Sequence, residues 1–450
     1  MRDLALRDGL AWDDAPNRLD VSARWTREPD IAAIASVCRR HLGIHPSAPD
    51  ADCAVYFHTA GTYNKLYLVD SSRGRYMMRV SLPVDPGAKT RGEVATLQLV
   101  RRKTDIPVPR VIAFDDTSSS EIGFEWILME LMPGRPTYYR WRRMTMSQKE
   151  TLVSRVAEFQ AQLFRCGPPG FSGFRAIGTL GTSEVPEPGP IVSAVFFEGA
   201  HFHYTVPRGP FNSSHDWLRA HLMIIIKEHT TALANSDAAD REYAEGVLRV
   251  TRKLLRLLPK IFPQLIHPPE RTVLWHDELS LMNLMVDDSG RITAVIDWEC
   301  VSTMPRWVAS QMPEFLRGTR REEKPDRSRY TDVSETGSDP SDGDLADSLD
   351  NEGKTELYWI HLMEYEQTQL RKVYAARMRH LRPDWDVEVA EGHLKVDFLE
   401  AVRKCGGGFY LKRIEQWVDA VERKEFQVGL SEILRVGIRK EKTDKDKTKR

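Results

Sequence analysis

The 450-residue chain carries 64 basic and 65 acidic side chains, and its formal net charge of −1 provides no overall field for nucleic acid or an anionic membrane. A hydrophobic content of 41% with 11 tryptophans is typical of a globular protein, and the length predicts two or three domains or lobes. No apolar run approaches the roughly 20 residues that span a bilayer, and five scattered cysteines favour a reduced compartment, so we expect a cytoplasmic chain without disulfides, structural zinc, nucleic-acid partners or membrane partners.

The first 28 residues form an extension that mixes Arg and Asp without a continuous apolar stretch, which argues against a secretory signal. Asp30 then provides a helix N-cap, and apolar residues at helical spacing continue to Gly43, a residue type that commonly ends a helix. From residue 52 the period changes to that of strands, with a break at Gly61. The predicted strands are residues 54–58, 65–69 and 75–80.

The third of these strands contains Arg79, whose ordinary interpretation is a solvated strand residue. Thr90 and Glu93 have the spacing of a capping box at the start of the next helix, in which Glu93 is the capping partner of Thr90. An Ile-Pro-Val-Pro run at 106–109 ends the helix, and residues 126–132 then form an apolar strand that a Pro-Gly pair breaks. The methionines of this strand are, by composition alone, ordinary core-filling residues.

The following region is mainly helical. Ser147 and Glu150 have capping-box spacing ahead of an amphipathic stripe, and residues 243–258 carry another helical pattern. His201 and His203 lie on a strand-like run, but a metal site needs at least one further ligand nearby. We therefore interpret this histidine pair as structural.

Residues 272–298 form the most informative run of the chain. Two short apolar strands, 284–286 and 292–296, flank an Asp-Asp-Ser-Gly turn, which predicts a β-hairpin. Asn283 comes directly before the first strand and Asp297 directly after the second, so the hairpin brings two oxygen-bearing side chains to one point. Because Mg²⁺ takes oxygen ligands and keeps few protein contacts, this pair predicts a magnesium site.

The loop ahead of the hairpin fits the pattern H-x-[DE]-L-x-x-x-N, with its fixed positions filled by His276, Glu278, Leu279 and Asn283. A Val-Ile-Asp-Trp-Glu run contains Asp297 and follows at the end of the hairpin. Together these motifs resemble the aminoglycoside phosphotransferase and choline kinase-like family, including its fungal type. That family has the protein-kinase-like fold.

The resemblance implies an α+β, two-lobed protein-kinase-like fold, with a small antiparallel-sheet N-lobe and a larger, mainly helical C-lobe. It covers roughly residues 52–318. Residues 331–353 carry many acidic side chains without Lys or Arg and too few apolar residues to offset chain entropy, which predicts disorder. The expected organisation is an N-terminal extension (1–28), an N-lobe (29–132), a C-lobe with the catalytic hairpin (133–318), a charged disordered insertion (319–355), C-terminal helices that complete the C-lobe (356–438) and a charged tail (439–450).

The resemblance also implies transfer of the γ-phosphoryl group of ATP to a hydroxyl of a small molecule, with Mg²⁺ as the metal. Glu278 is expected to receive the hydroxyl proton, while Asn283 and Asp297 hold Mg²⁺. The other implied site residues are His276 and Asp277 in the catalytic loop, Gly61 in the turn over the nucleotide, Arg79 and its partner Glu93 at the phosphates, and Met129, Glu130, Leu131 and Met132 at the adenine edge.

Two departures from the usual pattern leave alternatives open. The family carries Asp where Glu278 stands, and because Glu is one methylene longer, the neighbouring Asp277 is a second candidate base. Arg79 stands where the kinase pattern has Lys, and Arg keeps the charge without being a simple substitute. A pseudokinase that binds nucleotide without turnover is therefore the main alternative. A protein kinase is disfavoured because no A-P-E segment follows Asp297.

Overall fold

The N-lobe is built on a five-stranded antiparallel sheet with the order β3-β4-β5-β7-β6, preceded by a two-stranded ribbon. The computed structural model describes residues 7–13, 21–45, 49, 52–235, 238–263, 269–331, 352–425 and 428–434. The N-lobe elements are β1 (Leu10–Asp13), β2 (Ser22–Trp25), α1 (Ile31–Leu42), β3 (Cys53–Ala60), β4 (Asn64–Ser71), β5 (Gly74–Ser81), α2 (Ala88–Lys103), β6 (Val111–Asp115) and β7 (Glu125–Glu130).

The C-lobe combines helices with two small sheets, ordered β12-β11-β8 and β10-β13-β9. Its strands are β8 (Arg135–Pro136), β9 (Gly178–Thr179), β10 (Thr272–Trp275), β11 (Leu284–Val286), β12 (Ile292–Val295) and β13 (Ser302–Pro305). Its helices are α3 (Thr137–Arg140), α4 (Met146–Leu163), α5 (Ala194–Phe197), α6 (Ser214–Asn235), α7 (Ala238–Ile261), α8 (Arg306–Ala309), α9 (Glu356–Leu381), α10 (Trp385–Cys405) and α11 (Leu411–Glu422). The expected fold class, α+β with a sheet lobe and a mainly helical lobe, is confirmed.

The two N-lobe helices begin differently. Asp30 accepts a backbone N–H at 2.9 Å, and Gly43 ends α1 with a φ of 67°, as predicted. Helix α2 begins after Gly87, three residues before the predicted cap, so the capping box of Thr90 and Glu93 is wrong. Thr90 lies inside the first turn of α2, and Glu93 is free to contact β5.

Helix α4 shows a related register error. Its N-cap is Thr145, whose hydroxyl accepts the N–H of Gln148 at 3.3 Å, and the Gln148 side chain accepts the N–H of Thr145 at 2.8 Å. The predicted box of Ser147 and Glu150 is wrong, because Thr145 and Gln148 offer the same spacing and chemistry two residues earlier.

The two histidines that the sequence placed on a strand lie on a short 3₁₀ turn, Gly199–His203. His201 Nδ1 lies 3.0 Å from the carbonyl oxygen of Val195, and Nε2 lies 3.4 Å from Glu228. Within the described parts of the chain, no group of three or more His, Cys, Asp or Glu side chains is arranged to hold a metal ion. The strand prediction is wrong, whereas the structural role of the pair stays a prediction.

The start of the expected insertion also differs from the prediction. Arg321 donates from its backbone to Thr368 at 2.9 Å and from its side chain to Glu364 at 3.0 Å, so this part of the chain packs on α9. Tyr330 stacks edge-on against Tyr358 of the same helix at 5.3 Å. Contacts with α9 therefore hold residues that we expected to be disordered, whereas 332–351 and the tail 439–450 lie outside the described residues.

Among the helices that the structure describes, none combines the length and the apolar character that crossing a bilayer requires.

Candidate functional site

The hairpin of β11 and β12 forms as the sequence predicts. Leu284 pairs with Val295 across the two strands, and the N–H of Ile296 donates to the carbonyl of Asn283 at 3.0 Å. Gly290 closes the turn with a φ of 82°, a conformation that favours glycine. These bonds bring Asn283 and the residue after Ile296, Asp297, to the open end of the hairpin.

His276 fixes the loop that precedes the hairpin. It is 3% exposed, its Nε2 lies 3.1 Å from the carbonyl oxygen of Ile296, and its ring packs edge-on against Trp298 at 4.8 Å. Burial lowers the pKa of the imidazole, so the neutral ring donates to that carbonyl through Nε2–H. The geometry gives His276 a positioning role beside Asp297.

Asp297 adopts a φ of 65°, in the left-handed region that non-glycine residues rarely enter. Such strain persists only where the surroundings hold it, and it commonly marks a functional position. Its Oδ1 lies 3.3 Å from Nη2 of Arg79 on β5, so the hairpin and the N-lobe sheet meet at this carboxylate. Asn283 donates its amide N–H to the carbonyl of Glu278 at 2.8 Å, which fixes the orientation of its side chain.

Arg79 is the centre of a buried ionic network at the junction of the lobes. Its guanidinium contacts Glu93 of α2 at 2.9 Å and Glu299 at 2.7 Å. Glu299 also contacts Lys89 at 2.5 Å and Asn64 at 2.8 Å. Burial alone would raise the pKa of the Glu299 carboxyl group, but the positive charges of Arg79 and Lys89 hold it at about 2. The carboxylate is therefore ionised.

Three members of this network were missed by the sequence analysis. Glu299 stood inside the Val-Ile-Asp-Trp-Glu motif but received no role, and Asn64 and Lys89 received none either. Lys89 is 1% exposed, which is unusual for a lysine and indicates a fixed partner. Its partner Glu299 is distant in sequence, so only the fold brings the two together.

The adjacent carboxylates Glu278 and Asp277 have opposite electrostatic environments. Partial burial, followed by the negative charges of Asp297 and Asp277, raises the pKa of Glu278 to about 7. Burial would also raise the pKa of Asp277, but Arg403 and Arg317 lower it. Two neighbouring carboxyl groups whose pKa values are driven apart can divide acid–base work between them.

Asp277 is held by a residue from the far end of the chain. Nη2 of Arg403, on α10, lies 2.8 Å from Oδ2 of Asp277, and the indole N–H of Trp275 donates to Oδ1 at 3.3 Å. The sequence offered no local signal for Arg403, because nothing near residue 403 resembles a motif of the site. The contact makes Asp277 a poorer candidate base than its neighbour.

The expected nucleotide-binding residues lie in the turn between β3 and β4, at the end of β7 and directly after it. The N–H of Gly61 donates to Asn64 in the turn between β3 and β4, and the side chain of Asn64 ties that turn to the ionic network. Met129 is buried in β7, which ends at Glu130, whereas Leu131 and Met132 follow outside the strand. The chain then enters β8, which pairs with β11 of the hairpin.

Comparison with known proteins gives a family and several distant relatives. The profile of the phosphotransferase enzyme family matches residues 56–308. A subtelomeric hrmA-associated cluster protein of Aspergillus fumigatus is 24% identical over 57% of this chain and 59% of its own length. The Candida tropicalis protein named altered inheritance of mitochondria protein 9, mitochondrial, is 23% identical over 57% of this chain and 48% of its own. The chain thus spans about half to three-fifths of these curated relatives.

Two solved structures of aminoglycoside phosphotransferases are also similar to this chain, at lower sequence identity. A thermostable mutant of aminoglycoside phosphotransferase APH(4)-Ia, in a ternary complex with ADP and hygromycin B, is 14% identical with a TM-score of 0.43, covering 88% of this chain and 100% of its own. The streptomycin–ATP–APH(2")-IIa ternary complex is 11% identical with a TM-score of 0.43, covering 86% and 94%.

Proposed function

Because the chain belongs to the phosphotransferase enzyme family, we propose that it transfers the γ-phosphoryl group of ATP, bound with Mg²⁺, to a hydroxyl group of a small molecule. The observation that carries the proposal is the contact of Arg79 with Asp297 at 3.3 Å. It joins a buried cation of the sheet lobe to the carboxylate at the open end of the hairpin. Phosphoryl transfer depends on such positioned charges more than on covalent chemistry.

The residues present fit a magnesium ion that carries a nucleotide. Mg²⁺ typically takes one or two protein oxygens and completes its shell with water and phosphate. Asp297 supplies a carboxylate that already faces a cation, and Asn283 supplies an amide oxygen on a side chain whose N–H is fixed. In this proposal Asp297 and Asn283 hold the metal, while Arg79, supported by Glu93, steadies the phosphates.

Mg-ATP supplies the transferred group and neutralises part of the developing charge. Glu278 orients the acceptor hydroxyl and receives its proton at a carboxylate oxygen. A pKa of about 7 suits this role, because a general base works best when its pKa lies near the working pH. His276 keeps the loop fixed relative to Asp297 through its bond to Ile296.

The adenine of ATP is proposed to lie along Met129, Glu130, Leu131 and Met132, with the Gly61 turn above the phosphates. The end of β7 at Glu130 supports this placement, because the residues that follow connect the two lobes and are not part of the sheet. Backbone groups outside a ladder are available to a ligand.

A library of hydroxylated metabolites tests the function directly. Incubated with the full chain, ATP and Mg²⁺, one class of acceptor is expected to gain the mass of one phosphoryl group. Binding of Mg-ATP without transfer to any acceptor would favour the pseudokinase alternative, and transfer to peptides alone would favour a protein kinase.

We also propose that the protein works in the cytoplasm. All five cysteines are free, and four of them are buried, in agreement with a reducing compartment. Fractionation of cells that express the tagged chain tests this proposal, and co-sedimentation with mitochondria would contradict it.

A further inference from the structure

A cavity in the C-lobe is lined by four arginines. Its volume is about 210 Å³, and α4, the start of β10, α8 and the connection between α9 and α10 contribute to its lining. The arginines are Arg165, Arg271, Arg306 and Arg382, and Asp384 is the one acidic side chain among the described residues that line it. Because arginine binds phosphate and carboxylate groups through paired N–H donors, this wall favours an anionic ligand.

The cavity is separate from the proposed transfer site. The register pairs Thr272 of β10 with Pro305 of β13, so Arg271 and Arg306 lie at the same end of this strand pair. The catalytic loop begins at His276, four residues further along the extended chain, which corresponds to about 13 Å. The cavity therefore lies at the opposite end of β10 from the catalytic loop, and none of the residues assigned to transfer lines it.

Two of the arginines are held in place by carboxylates. Nη2 of Arg306 lies 2.8 Å from Oδ2 of Asp384 and also contacts Glu388. Arg382 is 7% exposed, its Nη2 lies 2.5 Å from Oε2 of Glu388, and its guanidinium lies 3.5 Å from the ring centroid of Phe164. Nε of Arg306 and Nη1 of Arg382 nevertheless have no hydrogen-bond partner among the described residues. The two carboxylates thus satisfy only part of this buried donor set.

The other two arginines are exposed. The side chains of Arg165 and Arg271 form no hydrogen bond or ion pair with the rest of the described chain. Four arginine charges therefore face the carboxylates of Asp384 and Glu388, which leaves an excess of two positive charges at the cavity wall. A phosphate monoester carries a charge of about −1.5 to −2 at pH 7, so it matches this excess.

We propose that this cavity is a second binding site, which takes a small molecule that carries a phosphate monoester. A carboxylate carries only one charge and would leave part of the excess without compensation. The volume of about 210 Å³ exceeds the roughly 150 Å³ of an engineered cavity that holds benzene, so the phosphate and part of its carbon skeleton fit. A concave site of this size also favours a small molecule over the flat surface of a membrane. The inference does not depend on the proposed transfer reaction.

Phenyl phosphate is the probe, because it combines a phosphate monoester with one ring. It is titrated calorimetrically into the full chain without ATP or Mg²⁺, and benzoate is titrated in the same way. We expect phenyl phosphate to bind at least tenfold more tightly than benzoate and to raise the Tm, since a ligand that binds the folded state stabilises it. Equal affinities for the two probes, or no binding of phenyl phosphate, would overturn the proposal.

A pair of double variants tests the location. Arg165→Gln with Arg271→Gln removes two side chains that no described residue holds, so the Tm without ligand should be unchanged. Arg252→Gln with Arg256→Gln, on the exposed side of α7, removes the same charge outside the cavity and is the matched control. We expect the first pair to weaken phenyl phosphate binding at least tenfold and the control to bind like the wild type. Equal binding by both would place the probe elsewhere and contradict the assignment.

A thermal-shift measurement with Mg-ATP checks that the two sites are separate. Mg-ATP should stabilise both double variants equally, because neither changes a residue assigned to transfer. A loss of Mg-ATP stabilisation in Arg165→Gln with Arg271→Gln alone would contradict the separation of the sites.

Vesicles distinguish a soluble ester from a lipid headgroup of the same chemistry. The chain is sedimented with phosphatidylcholine vesicles that contain phosphatidic acid, whose headgroup is a phosphate monoester. We expect the chain to stay in the supernatant at concentrations at which phenyl phosphate binds. Co-sedimentation that Arg165→Gln with Arg271→Gln abolishes would assign the site to a membrane lipid and overturn the assignment to a small molecule.

Discussion

Nη2 of Arg79 and Oδ1 of Asp297 lie 3.3 Å apart, although the two residues are 218 positions apart in the chain. One guanidinium therefore joins the N-lobe sheet to the hairpin of the C-lobe, and it faces the carboxylate that we assign to the metal. A magnesium ion at this carboxylate must share it with Arg79, so nucleotide binding is expected to rearrange a contact that already exists.

The first prediction concerns this carboxylate. Asp297→Ala removes the charged metal ligand and should abolish the magnesium-dependent part of the stabilisation by ATP, measured as a shift in Tm with and without Mg²⁺. Asp288→Ala, in the turn of the same hairpin and fully exposed, is the control that should keep it. A magnesium-dependent shift that survives Asp297→Ala would remove this residue from the metal site.

The second prediction concerns the proposed base. Glu278→Gln should lower kcat by a hundredfold or more with nearly unchanged ATP affinity, because general-base catalysis contributes about 10²- to 10⁴-fold. Glu278→Asp restores the usual family residue and should retain or raise activity. Asp277→Asn is the comparison, and a larger loss there than in Glu278→Gln would transfer the role of base to Asp277.

The third prediction concerns pH. The base must be deprotonated to accept the hydroxyl proton, and the pKa of Glu278 is raised to about 7. The value of kcat/KM should therefore increase about tenfold per pH unit below pH 7 and level off above it. An initial-rate profile between about pH 5.5 and 8.5 measures this dependence. A profile that is flat across neutral pH is not compatible with Glu278 as the titrating base.

The fourth prediction separates stability from function at Asp277 and Arg403. Their side chains are 47% and 36% exposed, and ion pairs of this exposure typically contribute about 0.2–1 kcal/mol. A double-mutant cycle of Asp277→Asn and Arg403→Gln, followed by urea unfolding, should give a coupling free energy in that range. A coupling of several kcal/mol would show that the pair is chiefly structural.

The fifth prediction uses the buried His221. Its pKa in the folded state is about 3, below the usual 6.5, so the unfolded chain takes up a proton first as the pH falls. The contribution of this residue to stability is complete above about pH 6.5 and is lost progressively towards pH 3. At pH 5 the loss is about 2 kcal/mol of unfolding free energy, and His221→Gln should show a correspondingly smaller decrease between pH 8 and pH 5. An equal decrease in unfolding free energy in the wild type and in His221→Gln would contradict this assignment to His221.

The sequence predicted the parts of the site that depend on neighbours in the chain. The hairpin followed from two apolar strands around a turn, and its strands, turn and open end are where the pattern indicated. The contact between Arg79 and Glu93 followed from the resemblance, because the spacing of Thr90 and Glu93 left a capping role for Glu93 equally open. Its role at the phosphates stays a prediction.

Long-range partners were not predictable in the same way. Lys89 and Arg403 carry no motif, and their partners Glu299 and Asp277 are far away in sequence. The predicted cap of α4 was wrong for another reason. Thr145 and Ser147 can both cap the helix through a side-chain hydroxyl, so propensity alone does not choose where the helix begins.

The contact between Arg403 and Asp277 also makes two distant parts of the chain depend on each other in evolution. The family match ends at residue 308, whereas Arg403 comes from α10, well beyond that end. A change at either position leaves a charge of the other sign without its partner. We therefore expect positions 277 and 403 to vary jointly among homologues, with lineages that lose the carboxylate also losing the arginine. A chimera that joins the family-matched segment, residues 56–308, to an unrelated C-terminal region would lose the pair of Asp277 and Arg403, even if it kept every motif residue.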